Sequence, residues 1–311
     1  MMRLVKFNMK LTARRTFLSL LGLSGLAALG VIMNRGEFMT TVPSAAQKNQ
    51  KTSSLAPALF IGHGSPMNAL EINSYTQSLQ QIAHSFQTPQ AILCISAHWM
   101  TRGTWVTHMA QPKTIHDFYG FPKELFSVQY PAAGSPKMAE QIQNNIQHPQ
   151  IHFDDQEWGL DHGTWAVLKH IYPQANIPVV QMSIDMSQPM SYHFDIGKKL
   201  QFLRQQGVMI LGSGNIVHNL RQINWDTNAQ PHSWAVEFDQ WVKEKLVARD
   251  FKAIQNEALQ TAAGKLSVPT LDHWIPLMYV LGAALNNDEL HFDFEGFQNA
   301  SMSMRSLSFR S

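Results

Sequence analysis

The sequence predicts a single α/β domain in which a central sheet, mostly parallel or mixed, is flanked by helices on both faces. Three observations predict it. Short apolar runs bounded by Gly and Pro recur at 56–61, 91–95, 177–182 and 208–211, each too short for a helix and each reading as a buried strand. Between them lie segments with helical spacing of apolar residues, at 164–171, 192–205, 234–247 and 274–285. The tail, 291–309, alternates Phe, Met and Leu with polar residues around Gly296, the pattern of antiparallel strands at a sheet edge. Strand alternating with helix calls for a sheet covered on both sides.

Taken in order, the first run leads into Gly62-His63-Gly64-Ser65-Pro66, a strand stopping in a turn. The second, Ala91-Ile92-Leu93-Cys94-Ile95, leads into Ser96-Ala97-His98-Trp99. Gly207 is placed as a stop after the helical segment 192–205, and the run 208–211 passes into Gly212-Ser213-Gly214. No internal repeat or low-complexity tract interrupts this order.

The chain has 311 residues, a formal net charge of +2 and only 15% charged residues, with no basic block in its body. That balance carries no electrostatic footprint for nucleic acid and favours small-molecule chemistry. Cys94 is the single cysteine, so no intramolecular disulfide forms, and its apolar surroundings suit a buried, inert thiol. Fourteen histidines against so few charges make a metal site worth seeking.

Three histidines follow buried strands: His63, His98, and His218 in Gly214-Asn215-Ile216-Val217-His218-Asn219. Open α/β sheets bind ligands outside the carboxyl ends of their strands, so residues distant in sequence converge there. Imidazole is a versatile metal ligand, and small neighbours (Gly62, Gly64, Ala97, Gly212, Gly214) let backbone approach a crowded centre. His162, in Asp161-His162-Gly163-Thr164, stands where a loop enters a helix, a position suited to a general acid or base. His273, in Asp272-His273-Trp274, also opens a helix and is a candidate ligand, supporting donor or substrate contact. His116 lies in an aromatic loop, His116-Asp117-Phe118-Tyr119-Gly120-Phe121, that suits the wall of a ring-binding pocket. A serine hydrolase is disfavoured, since no Gly-x-Ser-x-Gly elbow is present, and the Gly212-Ser213-Gly214 turn lacks the rest of a phosphate-cradling loop.

At these residues the sequence resembles the 4,5-DOPA extradiol dioxygenase family, a branch of the class III extradiol dioxygenases that includes protocatechuate 4,5-dioxygenase. The resemblance runs from Ala56 to the C-terminus. It rests on Gly62-His63-Gly64-Ser65-Pro66, Ser96-Ala97-His98-Trp99, His116-Asp117-Phe118, Tyr130-Pro131-Ala132, Asp161-His162-Gly163 and Ser213-Gly214-Asn215-Ile216-Val217-His218-Asn219-Leu220, in that order. It implies metal binding by His63, His98 and His218 with His273 nearby, an acid/base role for His162, and ring opening of a catechol such as DOPA by dioxygen. Fe(II) is the metal implied for catalysis. Iron sites that activate oxygen usually carry a carboxylate beside two histidines, whereas here the third ligand would be His218. A neutral nitrogen set also suits zinc, so Zn(II) is expected in purified protein. The alternatives are a zinc-dependent hydrolase on the same scaffold and a non-catalytic binding protein.

The start of the chain falls outside the resemblance. Lys6, Lys10, Arg14 and Arg15 precede an apolar stretch at 17–33, as in an export signal, and Arg14-Arg15-Thr16-Phe17-Leu18 looks like a twin-arginine signal. A membrane anchor is the other reading, for which the stretch is short and Gly-rich. The expected organisation is an export signal and linker over 1–46, a catalytic domain over 47–311, the twin-arginine translocon as a partner during export, and a periplasmic location. Replacing Arg14 and Arg15 by lysine is expected to trap the protein inside the cell. Cell fractionation checks this, and an unchanged periplasmic yield would remove the twin-arginine assignment.

Overall fold

Every apolar run read from the sequence lies in or beside a strand, and its residues show why it is apolar throughout. In β1 (Ala58–Gly62), Ala58 and Phe60 face one core while Leu59 and Ile61 face another. In β2 (Ala91–Thr101), Leu93 and Ile95 oppose Ile92 and Cys94 in the same way. Both faces of the sheet are buried, so alternation between core and solvent never appears. The structure, a computed structural model, describes residues 55–311; the expected signal, nearly all of the linker and the boundary at residue 46 lie outside the described residues.

The remaining strands are β3 (Thr104–Thr107), β4 (Ile151–Asp154), β5 (Val179–Asp185), β6 (Val208–Gly214), β7 (Glu289–Phe294), β8 (Phe297–Gln298), β9 (Met302–Ser303) and β10 (Ser306–Arg310). Eight form one mixed sheet in the order β4-β3-β5-β2-β6-β1-β10-β7, and β8 and β9 pair separately. The central strands β5, β2, β6 and β1 run parallel. The tail supplies β7 and β10, antiparallel at one edge as the sequence predicts.

Helices Ser74–Ile82 and His162–Ile171 cover one face, contributing Leu79, Trp165 and Leu168 to its core. On the other face Pro136–Asn145, Met190–Lys199, Ser233–Val247 and Ile275–Ala283 contribute Ile142, Ile196, Val242 and Leu277. The segment expected as one helix over 192–205 is two, Met190–Lys199 and Gln201–Gln205, joined at buried Leu200. Gly207 ends the second with φ +78°, a conformation that favours glycine. No helix among the described residues is long and apolar enough to cross a membrane.

One buried ion pair ties the tail to the rest. The Arg204 guanidinium, fully buried, donates to both Asp288 oxygens at 2.6 and 2.9 Å and to the carbonyls of Ala56, Ala283 and Phe309. Removing one partner leaves an uncompensated buried charge, which commonly costs about 3–5 kcal/mol. Asp288→Ala is therefore expected to lower unfolding free energy by about that amount, measured by urea denaturation; a loss below about 1 kcal/mol, the range of an exposed pair, would contradict it.

Candidate active site

Because β1, β6 and β2 are parallel and in register, their carboxyl ends share one edge of the sheet. Gly62 pairs with Gly214 and Ser96 with Ser213. His63 follows β1 directly, its N–H donating to the Gly214 carbonyl at 3.0 Å. His98 lies within β2, which runs on to Thr101 past a register shift between Ile95 and Met100, and not after it as the sequence suggests. Asn215 donates to the His273 carbonyl at 3.0 Å, bringing the approach to helix Ile275–Ala283 against the end of β6. A Cβ on Gly214 would lie 2.2 Å from that carbonyl oxygen, so only glycine admits the approach.

The rings converge. His63, His98 and His273 stand 5.0–5.1 Å apart by ring centres. Each offers one nitrogen to a group whose atoms all lie within 4.8 Å of one another, and His218 stacks on His273 at 3.5 Å and 9°. Burial, reinforced by the neighbouring imidazoles, holds His63, His98 and His218 well below the ordinary histidine pKa, so these rings are neutral.

Hydrogen bonding then fixes which nitrogen of His63 is bare. Ser213 Oγ gives its proton to the Gly163 carbonyl at 2.5 Å and so accepts from His63 Nδ1 at 3.0 Å. His98 Nδ1 faces the Asp117 carboxylate at 3.4 Å, and His273 Nδ1 donates to Asp272 at 2.6 Å. The Asp272 carboxyl is held below the usual carboxylate range: burial opposes ionisation, but the His273 contact outweighs it. With its Nδ1 proton committed to Ser213, neutral His63 carries a lone pair on Nε2. His63 Nε2 and His98 Nε2 face one another at 3.1 Å, close enough to bind one ion together. Neighbouring nitrogen ligands about 2.1 Å from one ion sit about 3 Å apart at right angles. The donor set therefore fits a metal, with carboxylates behind the rings in the usual supporting role.

His162 stands beside this group as the first residue of its helix, its ring 3.9 Å from that of His98. Asp117 accepts from both the His162 backbone N–H and Nδ1, each at 2.9 Å. Burial opposes ionisation of Asp117, but these contacts hold its carboxyl below the ordinary value. Asp161 caps the helix, accepting from Thr164 N–H at 3.2 Å and Ser96 Oγ at 2.7 Å. Gly163 completes the fit, since a Cβ there would lie 2.5 Å from Ser96 Oγ and 3.0 Å from His98.

Residues 57–308 match the family described as the catalytic LigB subunit of aromatic ring-opening dioxygenase. The chain belongs to this family. Over 259 residues it is 46% identical to a 4,5-DOPA dioxygenase extradiol of Escherichia coli (strain K12), covering 82% of this chain and 95% of that one. The 4,5-DOPA dioxygenase extradiol of Beta vulgaris is 33% identical over 264 residues, 81% of this chain and 96% of that one. The crystal structure of an uncharacterized Escherichia coli K12 protein superposes with a TM-score of 0.72 at 41% identity, covering 81% of this chain and 99% of that one. The protein is thus an extradiol ring-opening dioxygenase.

The cleft of this dioxygenase measures about 870 Å³ and opens above the histidines. Phe118, Tyr119 and Phe121 line it on one side; Leu220, Ile223 and Trp225 also line it, from the segment after His218. His116, expected in substrate binding, is not among the residues that line it. Its Nε2 meets the Val128 carbonyl at 2.9 Å and its ring packs against Phe118, Phe126 and Trp165. The next two residues, Asp117 and Phe118, face the cavity instead, so His116 stands behind the wall. Sequence reasoning passed over Asp117 and Asp272 as partners of the rings. Their signal was adjacency, one carboxylate after His116 and one before His273, which gives no direction without the fold.

Proposed function

We propose that the cleft binds a catechol, with DOPA the foremost candidate, and that its ring is opened beside the diol with dioxygen as co-substrate. Support for DOPA comes from the relatives of that name in Escherichia coli and in plants. The observation that carries the reading is the convergence of imidazole nitrogens next to a histidine whose own Nδ1 is engaged by a carboxylate.

His63, His98, His218 and His273 would hold the metal. Iron(II) bound there supplies the redox-active centre that ring opening by dioxygen needs, and redox-inert zinc does not. A set of neutral nitrogens accepts zinc readily, so zinc is the metal proposed for protein purified in air.

His162 is the proton acceptor. Ionised Asp117 can only accept, so Nδ1 carries the proton and Nε2 is left to take one from a catechol hydroxyl. Asp117 also sets the ring's angle by gripping the backbone N–H of the same residue. Phe118 and Phe121 offer flat apolar surface to the substrate ring and exclude water from the diol. Export by the twin-arginine route to the periplasm is part of the proposal and is supported by Arg14-Arg15 ahead of Thr16-Phe17-Leu18.

Two variants separate ligand from base. His63→Ala is expected to lose metal and activity together. His162→Ala is expected to keep metal near one ion per chain while turnover falls about a hundredfold to ten-thousandfold, the usual cost of removing a proton-transferring group. Metal analysis beside steady-state rates reads both, and metal falling in step with activity in His162→Ala would make His162 a ligand.

A further inference from the structure

Besides its histidines, the cleft is lined by four formally charged side chains: Glu71, Asp117, Arg221 and Asp272. Two are committed, since Asp117 is bound to His162 and Asp272 to His273. The other two have opposite sign and no ionic partner among the described residues. The Glu71 carboxylate accepts only a weak amide contact, from Asn73 Nδ2 at 3.3 Å. Arg221 is anchored through its backbone, its N–H donating to Asn219 Oδ1 at 3.0 Å, while its guanidinium meets no described carboxylate.

Their places in the chain tie both to the metal-ligand candidates. Glu71 lies just beyond the short turn Pro66–Ala69 that follows His63, its N–H held by the Met67 carbonyl at 3.2 Å. Arg221 lies in the turn Leu220–Gln222, three residues after His218, and Asn219 pins that turn to the carbonyl of Leu266 at 2.7 Å. Short, backbone-bonded segments thus carry one free anion and one free cation to the cleft from beside two of the histidines. A bare catechol fills only a small part of about 870 Å³, so a side chain on the ring has room to reach them.

We propose that Arg221 and Glu71 form a zwitterion subsite, Arg221 taking the carboxylate and Glu71 the ammonium of a catechol with an α-amino-acid side chain. This deepens the ring-opening reading and rests on it for the placement of the ring. Guanidinium is suited to carboxylate because its planar donors bind both oxygens, and Glu71 can accept from an ammonium without displacing a structural bond. The pair favours catechols that carry both charges, since only these gain both charge-assisted contacts.

The test compares DOPA, dopamine, dihydrocaffeate and unsubstituted catechol on the iron-loaded enzyme and its Arg221→Met and Glu71→Gln variants. One charge-assisted contact is commonly worth about tenfold. Arg221→Met is expected to lower the ratio of kcat/KM for DOPA over dopamine about tenfold. Glu71→Gln is expected to lower the ratio for DOPA over dihydrocaffeate by about the same factor, both through KM. Ratios that stay constant in both variants, or a uniform loss on all four compounds, would overturn the subsite. Anaerobic calorimetry of the same four compounds needs no turnover. Charge-selective loss of binding without ring opening by the parent enzyme would support the subsite and sink the ring-opening reading alone; ring opening with unselective binding would do the reverse.

Discussion

Imidazoles crowded along one edge of the parallel strands are the constraint that the rest of the cleft serves. The Nε2 atoms of His63 and His98 lie 3.1 Å apart. Such a cluster is suited to accept a cation in front when its rings are held from behind. Ser213 and Asp272 accept the Nδ1 protons of His63 and His273, and Asp117 faces His98 Nδ1 at 3.4 Å. Burial does the rest by keeping the rings uncharged and therefore able to ligate.

The same constraint explains local sequence choices that look unrelated. Gly214 lets the His273 backbone close on the end of β6, and Gly163 lets helix His162–Ile171 start against Ser96 and His98. Asp161, pushed up to about 6 by burial and by the charge of Asp117, is tied down by Ser96, Trp158 and Gln181 while it caps that helix. A polar network of this kind costs more if half-satisfied than if absent, so its members stand or fall together. The consequence is a base and a ligand, His162 and His98, oriented by one carboxylate. Asp117 links the two.

Much of this was legible in the sequence. Apolar runs gave the central strands because burial on both faces removes alternation, and glycines beside His63 and His218 marked where backbone crowds the site. Helix Ser74–Ile82 went unread although Asn73 and Thr76 form a reciprocal cap at 2.9 and 3.0 Å, and Ser135-Pro136 likewise opens an unread helix. Their apolar faces are short, and periodicity finds long faces first. His116 stands behind the wall of the cleft; sequence places it in the right loop without saying which side chain turns inward. The free pair Glu71 and Arg221 carries no motif at all; only the fold brings both to the wall of one cleft. Length and spacing cannot report an unpaired charge.

Catechol-dependent dioxygen uptake by metal-stripped protein, reloaded anaerobically with either Fe(II) or Zn(II), tests the central claim most directly. The histidine cluster as a redox-metal centre predicts uptake of dioxygen with ring opening in the iron form and none in the zinc form. Equal rates with both metals, or no uptake with iron across a broad set of catechols, would contradict it.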